Sequence, residues 1–237
     1  METTKTIIVS YGTNSTKSLL SRLSIIKGNM NGETEVKNRI RLKAEEMFSQ
    51  FGFSKVTMEE IAAELCISKK TLYKYFSNKE HVLKEVIGEV KCEITTFVDE
   101  LLADKTMEFI DKINKLMSFL AMHIAKIDGP LVRDLMKNHP EMWSDIQKFR
   151  REKTHANFSR LIQEGIERGF FRKDIPAQLI VMMYDSAMQG LLNRDALSEL
   201  PFTSDQIHRE VNKVVFEGIL SDKGREKFRT TNFEIEN

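Results

Sequence analysis

The chain has 237 residues and a mass of 27.5 kDa, enough for one large domain or two small ones. Hydrophobic residues make up 41% and charged residues 30%, with four prolines and eleven glycines, which excludes a disordered chain, a collagen-like repeat and a turn-rich all-β fold. A net charge of +1 excludes nucleic-acid binding by bulk charge, and two cysteines exclude a disulfide framework or a CxxC metal site. The longest apolar run, Leu179 to Tyr184, is far shorter than the roughly 18 residues of a membrane span. The expectation is a soluble, cytoplasmic, mostly helical protein with no membrane partner.

Residues 1–33 form the first segment, rich in Ser, Thr, Asn and Gly and read as a flexible tail. A weak helix over about 17–27 fits Leu19, Leu20, Leu23 and Ile26, and no secretory signal is legible. Met30 as the natural start is the rival reading. The second segment, 34–80, opens with a helix whose Ile40, Ala44, Met47, Phe48 and Phe51 share one face, ended by Gly52. Thr57 to Glu60 fits a capping box and predicts a second helix burying Ile61, Ala62 and Leu65. Cys66-Ile67 is a tight connection, and Ser68 caps a third helix with Leu72 and Phe76 inward. Ser77 to Glu80 reads as another capping box, opening a long helix that carries Leu83, Val86, Val90, Ile94, Val98 and Leu101.

The third segment, 81–220, continues with helices over about 106–126, 131–137, 141–168, 176–194 and 204–220. Gly129-Pro130, His139-Pro140, Gly169 and the Thr203 to Gln206 box mark their ends. The last segment, 221–237, is polar and is expected to fray. No strand pattern and no fixed-period repeat is present.

Two short helices joined by a tight turn form a helix-turn-helix when the second leaves one face free for the major groove. Ile67, Leu72 and Phe76 supply the inward contacts. Ser68, Lys69, Lys70, Thr71, Tyr73, Lys74 and Tyr75 remain outside. Four lysines and no acid lie between Ser68 and Lys79, a local positive patch suited to phosphates. Taken alone, such lysines are more often a solvated face. The caps, turn and aromatics around them favour the DNA reading.

The stretch from Arg39 to Leu83 resembles the DNA-binding domain of TetR-family transcriptional regulators. The matching residues are Ala44, Phe48, Gly52-Phe53, Thr57 to Ala63 and above all Thr71-Leu72-Tyr73-x-Tyr75-Phe76 with Lys79-Glu80. Cys66 stands where the family often has glycine, and Lys70 where glycine or alanine is common. The resemblance implies an all-α fold. A three-helix helix-turn-helix domain would precede a helical ligand-binding and dimerisation domain. It also implies a homodimer on a pseudo-palindromic double-stranded DNA operator, a repressor released by a small-molecule effector.

By position, Lys69, Lys70 and Thr71 would reach base edges, and Tyr73, Tyr75 and Lys79 phosphates. Thr57 would offer a backbone N–H to a phosphate. Tyr73 as a partly buried core residue is the alternative. Met117, Phe119, Met122, Trp143, Phe158, Met183 and Tyr184 are candidate pocket residues, each equally at home in an ordinary core. The acidic balance of 81–237 suggests an apolar or cationic effector, and Ala121 is a further candidate for the lining. The two helices over 179–192 and 207–219 are the expected dimer pair, with Met188 and Val215 in the interface.

No cofactor is expected, and no enzyme. A di-iron bundle built on Glu152/His155 and Asp205/His208 is the rival enzyme reading, and a helical adaptor the third class. Neither triplet is accompanied by inward-facing carboxylates on neighbouring apolar faces, no phosphate-cradling glycine loop is present, and a DNA shift assay separates the adaptor.

Overall fold

The computed structural model describes residues 32–230; the expected helix over 17–27 and Met30 lie outside them, and of the expected tail over 1–33 residues 32 and 33 belong to the first helix. Eleven α-helices follow in these residues. They are α1 (Gly32–Phe51), α2 (Met58–Glu64), α3 (Lys69–Tyr75), α4 (Lys79–Ala103), α5 (Phe109–Ala125), α6 (Pro130–Asn138), α7 (Pro140–Glu167), α8 (Ala177–Leu191), α9 (Arg194–Glu199), α10 (Ser204–Ile219) and α11 (Asp222–Thr230). The β feature among the described residues is one isolated antiparallel bridge, Phe171 to Leu220.

Local chemistry sets the boundaries. Thr57 accepts from Glu60 N–H while the Glu60 carboxylate accepts from Thr57 N–H, the expected capping box. Leu65, Cys66 and Ile67 close α2 as a Schellman turn: Ile67 N–H donates to Ala62 C=O and Cys66 N–H to Ala63 C=O. Cys66 takes φ 53 there, the left-handed conformation that glycine adopts without strain. The long α4 is capped by Asn78, whose side chain accepts from His81 N–H, and not by Ser77.

Three further boundaries differ from the periodicity. Asp104 accepts from the N–H groups of Thr106 and Met107, so α5 starts at Phe109 and not at 106. Asn193 donates to the carbonyls of Gln189 and Gly190 and accepts from Ala196 N–H, splitting the expected helix into α8 and α9. Residues 222–230 do not fray. They form α11, with Phe228 buried and Gly224 packed so closely that a Cβ would lie 2.2 Å from the Phe170 carbonyl oxygen.

Two apolar clusters result. The first joins α1, α2 and α3 through Phe48, Phe53, Ile61, Leu72 and Phe76, takes Val82, Leu83 and Val86 from α4, and receives Leu135 from α6. The second fills the space between α4, α5, α7, α8 and α10, around Phe109, Phe158, Leu161, Tyr184 and Phe216. Lys112 is buried in it and donates to both oxygens of the Glu164 carboxylate, at 2.9 and 3.0 Å. No helix among the described residues is long and apolar enough to cross a membrane.

Candidate nucleic-acid interface and effector cavity

The face of α3 follows from its caps and anchors. Ser68 holds the first turn by accepting from Thr71 N–H at 3.0 Å, and its hydroxyl also meets the Thr71 hydroxyl at 2.8 Å. Leu72 and Phe76 are fully buried, so the helix cannot roll. Lys69, Lys70, Tyr73 and Lys74 point to solvent, Tyr73 at 46% exposure, which settles it as a surface residue. Lys69 pairs with Glu59 at 2.9 Å and Lys74 with Glu33, both exposed contacts that cost little to exchange for phosphates. Among the described residues Lys70 forms no ion pair. Tyr75 is half-buried against the first cluster, with the Lys74 ammonium 5.4 Å from its ring centre.

Two expected phosphate contacts are engaged otherwise. Lys79 turns inward: its ammonium donates to the carbonyls of Phe53 at 3.0 Å and Val56 at 2.8 Å, and sits 4.4 Å from the centre of the Phe53 ring. The loop between α1 and α2 has few internal partners for these carbonyls, and a neighbouring cation satisfies them. The Thr57 N–H donates to the Glu60 carboxylate at 2.8 Å and is not free for a phosphate.

The same loop is tied to α6. Ser54 Oγ donates to Asp134 at 2.8 Å, Ser54 N–H donates to the same carboxylate, and the Phe53 ring meets His139 edge-on. Burial opposes the charge of the Asp134 carboxyl, but the hydrogen bonds from Ser54, with one from the Asn138 side-chain amide at 2.6 Å, hold it below its ordinary range. Gly52, at φ 89, lets the chain turn here, and a Cβ on it would meet the Asp134 side chain at 3.2 Å. Nothing in the sequence marked Ser54 and Asp134, which lie 80 residues apart.

A cavity of about 450 Å³ lies in the second cluster and reaches its border with the first. Of the expected lining residues, Met117, Trp143, Phe158 and Tyr184 face it. Phe119 is instead buried in a stack on Phe97, centroids 3.8 Å apart. Met122 and Met183 are 53% and 61% exposed and point outward, Met183 beside the likewise exposed Leu179 and Met182. Ala121 is not among the lining residues either.

The charge of the wall also differs from the expectation. It carries four basic side chains, Lys91, Lys126, Arg150 and Lys153, against the single acid Glu45, together with His123 and His208. Burial, with the Arg150 guanidinium second, pushes the His208 imidazole down to about 4, so it is neutral at pH 7. The Tyr184 hydroxyl is held protonated by burial. Arg150 lies on the inward stripe of α7 with Trp143, Ile146 and Phe158, and a lone arginine in an apolar stripe was the available signal.

The expected dimer helices keep an unpartnered apolar stripe. Leu179, Met182 and Met183 of α8 and Val214 of α10 are 48%, 61%, 61% and 71% exposed. Met188 is buried in the second cluster and Val215 packs against it, so neither stands on that stripe. The pairs of the di-iron reading are committed elsewhere: His155 to Asp185 at 2.7 Å, and His208 to Asn212 at 3.0 Å. Among the described residues no three His, Cys, Asp or Glu side chains gather to hold a metal.

Residues 40–86 match the family model for bacterial regulatory proteins, tetR family. An uncharacterised HTH-type transcriptional regulator of Bacillus subtilis, YvaF, is 25% identical over 78% of this chain and 96% of its own length. The HTH-type transcriptional repressor DhaR of a Mycobacterium species is 24% identical over 79% of this chain and 93% of its own. In fold, a transcriptional regulator from Cytophaga hutchinsonii superposes with a TM-score of 0.62 at 19% identity, over 81% of this chain and all of that one. The capped helix α3, its anchored position on α1 and α2 and these likenesses converge: residues 40–86 match the tetR-family segment, and the chain as a whole is similar to HTH-type transcriptional regulators.

Proposed function

We propose that the protein is a homodimeric repressor that binds a pseudo-palindromic operator through α3 and leaves it when a small molecule fills the cavity. The observation that carries the DNA contact is the outward set Lys69, Lys70, Tyr73 and Lys74, held rigid by the buried Leu72 and Phe76. Lys69, Lys70 and Thr71, in the first turn of α3, are placed for base edges. Ser68, Tyr73, Lys74 and Tyr75 are placed for phosphates, while Lys79 and the Thr57 N–H drop out of the contact set. That the relative DhaR is named a repressor supports the sign of regulation.

The exposed stripe of Leu179, Met182, Met183 and Val214 supports dimerisation through α8 and α10. Burying it on a symmetry-related copy would fix the separation of two α3 helices, and operator half-sites about 34–36 Å apart match such a pair. Coupling runs through α6. Leu131, Val132 and Leu135 wall the cavity, Leu135 also sits in the first cluster, and Asp134 holds Ser54. A ligand that displaces α6 therefore acts on α1 and the loop that positions α2 and α3.

The experiment is a band shift of full-length protein on DNA flanking its own gene. Lys70→Ala should change the preferred half-site in a selection from random sequence. An identical selected motif for both proteins would remove Lys70 from base reading.

A further inference from the structure

We propose that the effector is an amphiphilic carboxylate, its apolar body in the cavity and its head group on Arg150; this rests on the ligand-responsive reading above. Arg150 is a half-buried cation. Arg150 Nη1 is shielded from solvent and has no hydrogen-bond partner among the described residues. A guanidinium has five N–H donors, and leaving one buried and unpaired is costly. Burial is also the leading influence on this side chain, and it disfavours the charged form.

The acids nearby are already committed. Glu45, the one acid of the cavity wall, faces Arg41 at 3.5 Å. Asp185 accepts from His155 at 2.7 Å. Lys91 and Lys153 add to the positive wall, and the Lys91 ammonium lies 5.1 Å from the Phe149 ring centre. The cavity therefore presents an excess of positive charge to whatever enters, and a cationic ligand would meet repulsion without a counter-charge.

Arg150 also has the right place for a head group. A smaller cleft of about 260 Å³ opens between α7 and α8, and it shares Trp143, Arg150, Thr154 and Met188 with the cavity. Arg150 thus stands where the outer cleft meets the inner cavity. Beyond it the walls are apolar: Val90, Ile94, Leu116, Leu120, Ile124 and Phe158. A carboxylate at the junction would take two guanidinium N–H donors in bidentate geometry, while a hydrocarbon tail fills the interior. Tyr184 and Thr154 line the same region and offer hydroxyl donors to the second lone pairs of the carboxylate.

The test uses the single tryptophan, Trp143, which lines both spaces and reports on occupancy by its emission. Full-length protein is titrated with dodecanoate, dodecanol and dodecyltrimethylammonium at concentrations below micelle formation, followed by Trp143 emission and by melting temperature. Dodecanoate should bind at least tenfold more tightly than the other two. Arg150→Met should erase that preference while keeping tail binding, and Arg150→Lys should retain part of it. Binding of the ammonium probe as tight as that of dodecanoate overturns the proposal, as does an Arg150→Met protein that still prefers the carboxylate. So does an absence of response to all three. The head-group comparison in the unaltered protein decides the matter even if the variants fail to fold. A band shift run on the same samples separates the two readings: dodecanoate that binds at Arg150 without weakening DNA leaves the site intact and removes ligand control.

Discussion

Lys79 shows how a residue can match a family position and hold a different post. Its ammonium is caged by the carbonyls of Phe53 and Val56 and by the Phe53 ring, so it fastens the loop after α1 to the start of α4. Lys79→Met should destabilise the protein by about 1–3 kcal/mol in a denaturant titration, the cost of unpaired buried acceptors. The slope of DNA affinity against salt should be unchanged, and a slope reduced by about one unit would return Lys79 to the phosphate contacts. His208 gives a second test. It is 2% exposed, and its folded value of about 4 lies below the ordinary 6.5, so the unfolded chain binds the proton more readily. Stability attributable to it is complete above pH 6.5, falls as pH drops toward 4, and is lower by about 3 kcal/mol once below 4. His208→Gln, which keeps an acceptor for Asn212, should flatten that part of the pH–stability curve; an unaltered curve would show that His208 is protonated without penalty.

At the scale of elements, the helices that bury a continuous stripe were legible in the sequence. Ile40, Ala44 and Phe48 define α1, and the Thr57 and Thr203 boxes fix the starts of α2 and α10 to the residue. Ser68 and the Cys66 turn were legible for the same reason, since caps and left-handed positions are local. What depends on distant partners was not. The helix α11 is polar along most of its length and is held by Phe228 and the close approach of Gly224 to Phe170. Asp134 shows its role only once α6 lies against the loop at Ser54. Helix rotation explains the pocket errors: Met183 and Tyr184 are neighbours in sequence, yet one points outward and the other is buried. The same rotation assigns the dimer test to new residues. Met182→Glu should leave the fold intact and yield a monomer in light scattering, because that side chain is 61% exposed within the protomer. Met188→Glu should unfold the chain instead, since Met188 lies in the core. A Met182→Glu protein that still ran as a dimer would place the interface away from α8.

Two apolar clusters are joined through α4 and α7, with a cavity at their border that α6 helps to wall and an outward cationic helix, α3, on the first. A net charge near zero gives no general affinity for DNA, so binding must come from α3 and its few neighbours. That makes the central claim open to a direct measurement. Affinity of the full-length protein for its operator is followed by fluorescence anisotropy across a range of salt, for the unaltered chain and for a Lys69→Ala, Lys70→Ala, Lys74→Ala variant. The unaltered chain should bind tightly and with strong salt dependence. The variant should lose most of that affinity and show a salt slope shallower by up to about 0.9 for each lysine on a phosphate. Equal affinity and equal slope for the two proteins would contradict it, because the outward face of α3 would then play no part in holding DNA.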